Sequence, residues 1–159
     1  MKWQEVGETP CSMARSLAIL GDRWTLLILR NCFLGMRRFD EFQASLGVTR
    51  QVLADRLSRL VEAGALKKVP YQERPPRYEY RLTEMCHDLH PVLLALANWG
   101  DRWLDEGRGA PVEYVHKACG HKFRPTMVCP ECGEPVGSRD VTAVPGPGFA
   151  AMAGKLAQN

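Results

Sequence analysis

Two apolar stripes at helical spacing, separated by only a few residues, constrain this sequence more than any other feature. Phe39, Phe42 and Leu46 mark one face of a short helix that Gly47 can close in a tight turn. Thr49 is placed to cap the helix that follows, and Leu53, Leu57, Leu60 and Val61 fall at i, i+4, i+7 and i+8 before Gly64. Burying those four side chains leaves Gln51, Asp55, Ser58 and Arg59 on the other face, with Arg50 and Arg56 on the flanks. A shorter helix, a turn of three or four residues and a helix with a polar, basic outer surface is the arrangement of a helix-turn-helix.

The flanking segments complete one domain. Leu17, Leu20, Trp24, Leu27 and Ile28 recur at near-helical spacing, broken at Gly21-Asp22, which predicts two successive core helices ending near Gly35. Leu66 to Tyr71 reads as a strand, Gln72 to Pro76 as a turn and Arg77 to Leu82 as a returning strand. In it Tyr78, Tyr80 and Leu82 alternate with Arg77, Glu79 and Arg81. A basic hairpin beside such a helix is a wing. A last helix behind Thr83 carries Leu89, Val92, Leu93, Leu96, Trp99 and Trp103 along one side, with Pro91 inside the pattern as a kink or break. That stripe is too long for a small core and predicts burial against a second subunit.

Composition narrows the function. At 45% hydrophobic and 25% charged residues the chain falls in the globular class, which excludes collagenous, coiled-coil and wholly disordered proteins. No apolar run approaches the roughly 20 residues that span a bilayer. The first ten residues carry Glu5 and Glu8 and lack the apolar centre of a secretion signal, so a cytoplasmic protein with reduced cysteines is expected, with no membrane partner. Between Arg37 and Arg81 stand ten Lys and Arg against six Asp and Glu, an excess of four in a chain whose net charge is +3. The positive charge is therefore concentrated in the helix-turn-helix and hairpin, which suits an acidic partner, nucleic acid first.

Composition changes near Gly107 to Pro111, dividing the sequence into a domain over 1–107, an extension over 112–140 and a flexible tail over 141–159. The extension contains His116-Lys117-Ala118-Cys119-Gly120-His121 and Cys129-Pro130-Glu131-Cys132-Gly133-Glu134, two H/C-x-x-C-G turns whose side chains can converge on one ion. Thiolates with one imidazole favour zinc, and about 30 residues cannot fold on apolar burial alone. The expected ligands are His116, Cys119, Cys129 and Cys132, with His121 the substitute for His116. Four protein ligands close the site, so the zinc is structural and hydrolysis is not expected. No catalytic set or phosphate-binding glycine loop is evident, and His87 and His90 read as polar decoration of the last helix. The fold class is thus mainly α with a β-hairpin wing, a winged helix-turn-helix, plus a small β zinc-ribbon-like C-terminal extension.

Several spaced motifs carry a family resemblance: Cys11-Ser12-Met13-Ala14, Gly21-Asp22-Arg23-Trp24-Thr25, Arg38-Phe39-Asp40-Glu41-Phe42, Leu53-Ala54-Asp55-Arg56-Leu57 and Pro75-Pro76-Arg77-Tyr78-Glu79-Tyr80. In this order, over Cys11 to Trp103, the chain resembles the HxlR-type transcriptional regulators of the MarR-like superfamily. The resemblance implies a homodimer joined through its first and last helices that binds palindromic operator DNA. The expected function is a repressor by occlusion. It also implies that Cys11, ahead of the first helix, is the place where some such regulators sense oxidants or electrophiles. A helix N-terminus favours the thiolate, and Arg15 could add to that effect. Cys32 and Cys86 read as packing residues. A dimer cleft lined by Trp24, Trp99 and Trp103 is the alternative receptor, for a small-molecule effector.

Roles on the double-stranded DNA follow from side-chain chemistry. Arginine donates twice to guanine and glutamine pairs with adenine, so Arg50 and Gln51 at the exposed start of the helix suit base reading. Thr49, Arg56 and Arg59 suit phosphate contacts that fix register, and Arg74 and Arg77 suit the backbone or the neighbouring minor groove. Arg38, at the head of the short helix, completes the set. The rival reading is a protein–protein adaptor that acts through the zinc ribbon, with the winged helix as its dimer scaffold.

Overall fold

A computed structural model describes residue 9 and residues 11–149. The expected tail over 141–159 lies outside the described residues beyond 149, as do 1–8 and residue 10. The chain packs as two compact units, the first reaching Leu89 and the second starting at His90.

The first unit contains α1 (Ser12–Leu20), α2 (Arg23–Phe33), α3 (Phe39–Leu46), α4 (Arg50–Glu62), β1 (Leu66–Gln72), β2 (Arg77–Leu82) and the opening turns of α5 (Glu84–Trp103). Asp22 starts α2 by accepting a hydrogen bond from the Trp24 amide at 2.9 Å. At the head of α3 the Glu41 carboxylate accepts from the Arg37 and Arg38 amides at 2.8 and 2.9 Å. These bonds hold the Glu41 acid below its ordinary pKa. Gly47, at φ 64°, ends α3 in the left-handed conformation, and its amide donates to the Gln43 carbonyl. Thr49 Oγ1 then accepts from the Val52 amide, so the expected cap is in place. α4 stops where the Ala65 amide donates to the Leu60 carbonyl across left-handed Gly64.

Ile28, Leu29, Phe42, Leu53 and Leu57 are fully buried, and Leu60 and Leu66 nearly so. Each such side chain contributes about 2 kcal/mol of apolar burial. Asn31 and Thr25 are the buried polar residues of this core. Asn31 links two helices. Its amide nitrogen donates to Ser45 Oγ at 3.0 Å while its oxygen accepts from Arg30, tying α2 to α3. Leu17 departs from expectation: it is 39% exposed, and α1 has no buried residue. Spacing identified the helix correctly, but an apolar face marks a surface to be covered without saying by what.

The hairpin pairs Leu66 with Leu82 through Val69 with Glu79 in antiparallel register, with an irregularity between Pro70 and Gln72. Thr83 Oγ1 donates to the Gly64 and Ala65 carbonyls, fastening the strand end to the α4 exit. α5 runs through Pro91, and in its later turns Val92, Leu96, Trp99 and Trp103 are exposed. Among the described residues no helix is long and apolar enough to cross a membrane.

The second unit corrects one expectation. Over 112–140 there is no β ribbon; two isolated antiparallel bridges, Val115 with Lys122 and Val128 with Pro135, each close one turn. Pro125 and Pro135 lack the amide donors that longer ladders would need.

Candidate nucleic-acid interface

The exposed face of α4 begins at Thr49, whose hydroxyl oxygen accepts the capping bond and whose O–H is not used by it. Arg50 follows, folded back over α3: Nη1 lies 3.1 Å from Gln43 Oε1 and 3.4 Å from Asp40 Oδ1, and the guanidinium covers the Phe39 ring at 4.8 Å. All of these contacts are at the surface, where each is worth at most about 1 kcal/mol. Gln51 is exposed beside it. A little over two turns on, Arg59 Nε lies 3.1 Å from Asp55 Oδ2, an exposed i,i+4 pair.

Arg56 stands apart from these. Its side chain is half-buried, with Nε 2.9 Å from Asp22 Oδ1 and a second close pairing to Asp55. Burial alone would push the Asp22 carboxyl up, but the Arg56 guanidinium and the Trp24 and Thr25 amides outweigh it and hold the acid below its ordinary value. Arg56 thus fastens α4 to the start of α2.

The hairpin supplies the second part of the surface. Arg74 and Arg77 are exposed at and beside its tip, where the Gln72 side chain donates to the Arg74 and Pro75 carbonyls. Arg38 lies at its base, Nε 3.6 Å from Glu79 Oε1 and the guanidinium 4.6 Å from the Tyr71 ring centroid. Glu79 is only 13% exposed because Arg38 and Arg81 close over it, so strict alternation along β2 does not assign its faces. Two cations missed from the sequence are Lys67 and Lys68 on β1, the latter 4.2 Å from the Tyr78 ring centroid. Their signal was in the local charge excess, which does not say which strand residues face outward.

Cys11 is exposed and occupies the N-cap position of α1, and the neighbouring Arg15 guanidinium donates to Ser12 Oγ at 3.0 Å. Cys32 and Cys86 are buried, which pushes their thiols up to about 12 and about 11, with Cys86 adding to the rise at Cys32. Both are packed in the core. His87 packs edge-on against Phe33.

The sequence-predicted metal residues come together in pairs. His116 Nδ1 lies 3.3 Å from Cys119 Sγ. Cys129 receives backbone hydrogen bonds from Cys132 and Glu131 and a side-chain one from Cys132, which together hold its thiol below its ordinary value. Among the described residues no group of three or more His, Cys, Asp or Glu gathers as a complete metal site.

A short helix, a left-handed glycine turn, a capped helix with a polar outer face and an adjoining hairpin define a winged helix-turn-helix, the DNA-binding element of transcriptional regulators. The chain belongs to the HxlR-like helix-turn-helix family, whose profile matches residues 19–108. It is 46% identical over 140 residues to an uncharacterized HTH-type transcriptional regulator of Mycobacterium tuberculosis (strain H37Rv), covering 88% of this chain and 89% of the relative. The crystal structure of PA1607 is similar at 34% identity and a TM-score of 0.78, over 90% of this chain and 99% of that one. The redox regulator HypR in its reduced form is similar at 28% identity and a TM-score of 0.55, over 58% of this chain and 92% of that one. The protein is an HTH-type transcriptional regulator of a non-enzymatic family, and DNA is its partner.

Proposed function

We propose that the protein is a cytoplasmic homodimeric repressor that occludes a palindromic operator in double-stranded DNA and responds to a redox or electrophile signal or a small effector. The observation that carries this reading is the outward face of α4. Arg50 and Gln51 stand exposed at its capped start, Arg59 is a little over two turns further on, and the leucines behind are buried. In this reading Arg50 and Gln51 read base edges, while Thr49, Arg59, Arg38 and the wing residues Arg74 and Arg77 hold the backbone. Arg56, paired with Asp22, positions the helix that does the reading.

Support for a dimer comes from the exposed Met13 and Leu17 on α1 and the exposed Val92, Leu96, Trp99 and Trp103 on α5. The signal is assigned to Cys11, an exposed thiol at the head of α1, and the relative described as a redox regulator favours this over the effector cleft. The 112–140 extension is taken as an appendage stapled by structural zinc. Footprinting on genomic DNA tests the regulator: the expected result is a two-fold symmetric protected site whose affinity falls steeply with salt. Equal affinity for all duplexes would overturn it.

A further inference from the structure

Residues 114–123 and 127–136 form the same turn twice. The His116 amide donates to the His121 carbonyl at 2.9 Å, and the Cys129 amide to the Glu134 carbonyl at 2.9 Å. The Gly120 amide returns to the His116 carbonyl at 2.8 Å, and the Gly133 amide to the Cys129 carbonyl at 2.8 Å. Both glycines are left-handed, with φ 72° and 75°. Outside them the Phe123 amide donates to the Tyr114 carbonyl at 3.0 Å and the Val136 amide to the Met127 carbonyl at 2.9 Å, with one β-bridge in each turn. A single constant offset therefore superposes His116 on Cys129, Cys119 on Cys132, Gly120 on Gly133 and His121 on Glu134.

That register separates the two histidines. His116 takes the place of a thiol in the other turn, whereas His121 takes the place of a glutamate. Two ligands of one tetrahedral zinc, an imidazole at about 2.1 Å and a thiolate at about 2.3 Å, stand about 3.6 Å apart. The 3.3 Å between His116 Nδ1 and Cys119 Sγ is close to that spacing.

Apolar burial gives the two turns little to stand on. No residue from 111 to 149 is buried; Val115 and Val128, at matching positions, are each 51% exposed. A segment without a core needs a covalent or metal staple, and its thiols are unpaired.

We propose that the two turns are preformed halves of one site and that a soft divalent cation, zinc foremost, draws them together through His116, Cys119, Cys129 and Cys132, leaving His121 outside. The inference deepens the stapled-appendage reading and rests on it, independently of how α4 meets DNA. Four protein ligands leave no open coordination position, so the ion organises the extension and does no chemistry. Thiol protons leave as the ion binds, so affinity falls on acidification.

The test uses full-length protein stripped with a chelator and titrated with Co²⁺, with proteolysis of the extension followed with and without Zn²⁺. The expected result is one equivalent of Co²⁺ per chain with thiolate-to-metal charge-transfer absorption, and slower cleavage within 112–140 when Zn²⁺ is present. His116→Ala and Cys129→Ser should each weaken binding about a hundredfold. His121→Ala should leave binding unchanged, and His116→Cys should retain it. If His121→Ala abolishes the absorption while His116→Ala does not, the ligand assignment falls and the stapled appendage stands. If the unaltered protein takes up no Co²⁺ and Zn²⁺ leaves cleavage unchanged, both fall.

Discussion

Arg56 on α4 and Asp22 at the head of α2 form a half-buried ion pair, Nε to Oδ1 2.9 Å, joining the outward-facing helix to the core. Because the Asp22 carboxyl is held below its ordinary value, its contribution is present above the unfolded value, about pH 4, and is lost as pH falls through the folded value. Asp22→Asn should lower stability by about 1 kcal/mol at neutral pH. The gap from the unaltered protein should close as the solution is acidified below about pH 4. Urea titrations at several pH values would check this; a pH-independent gap would mean the pair does not carry the effect.

On the proposed docking of α4, base reading and backbone grip are separable. Arg50→Ala should narrow the difference between cognate and altered operators by about 1–3 kcal/mol. Arg59→Ala should weaken all duplexes alike and reduce the salt slope by about one. Fluorescence anisotropy over a salt series distinguishes the two, and an unchanged isotherm for both variants would place the interface elsewhere.

Gly47 holds φ 64° with nothing within 4 Å of the position a Cβ would take. Gly47→Ala should therefore lower stability by about 1 kcal/mol through backbone strain alone. Thermal melts would show it, and a neutral substitution would show that the turn relaxes.

Cys11 is exposed, whereas burial pushes Cys32 and Cys86 to about 12 and about 11. Brief alkylation of the native protein at neutral pH should modify Cys11 and spare the other two, as read by mass spectrometry. Cys11→Ser should abolish any loss of DNA binding caused by hypochlorite or quinones. A response that survives this substitution would exclude the thiol as the sensor.

Trp99 is 54% exposed on α5. Trp99→Glu should convert a dimer to a folded monomer in analytical ultracentrifugation, with operator affinity falling at least about tenfold as one half-site is lost. A dimer that persists would move the interface away from this face.

The helix-turn-helix was legible because its signals are local. Spacing of Leu53, Leu57 and Leu60, the Thr49 cap and the Gly47 turn all lie within one or two helical turns of what they determine. The hairpin bounds were readable for the same reason. Arg56 was not, since its partner Asp22 lies on another helix and no periodicity links them. Glu79 looked solvent-facing by alternation and is covered because two arginines from either side close over it. The pairing of His116 with Cys119 was visible as spacing, but the shared hydrogen-bond frame that distinguishes His116 from His121 needed the backbone.

Arg50 rests against Asp40, Gln43 and Phe39. A protein that reads bases with this arginine must first lift it from that perch, at the expense of contacts weak enough to exchange with solvent. While travelling along unrelated duplex it can keep the arginine stowed and glide on backbone charge alone. Commitment at the correct sequence is then a rotamer swing that a guanine rewards and other bases do not, separating the speed of the search from the stringency of the stop.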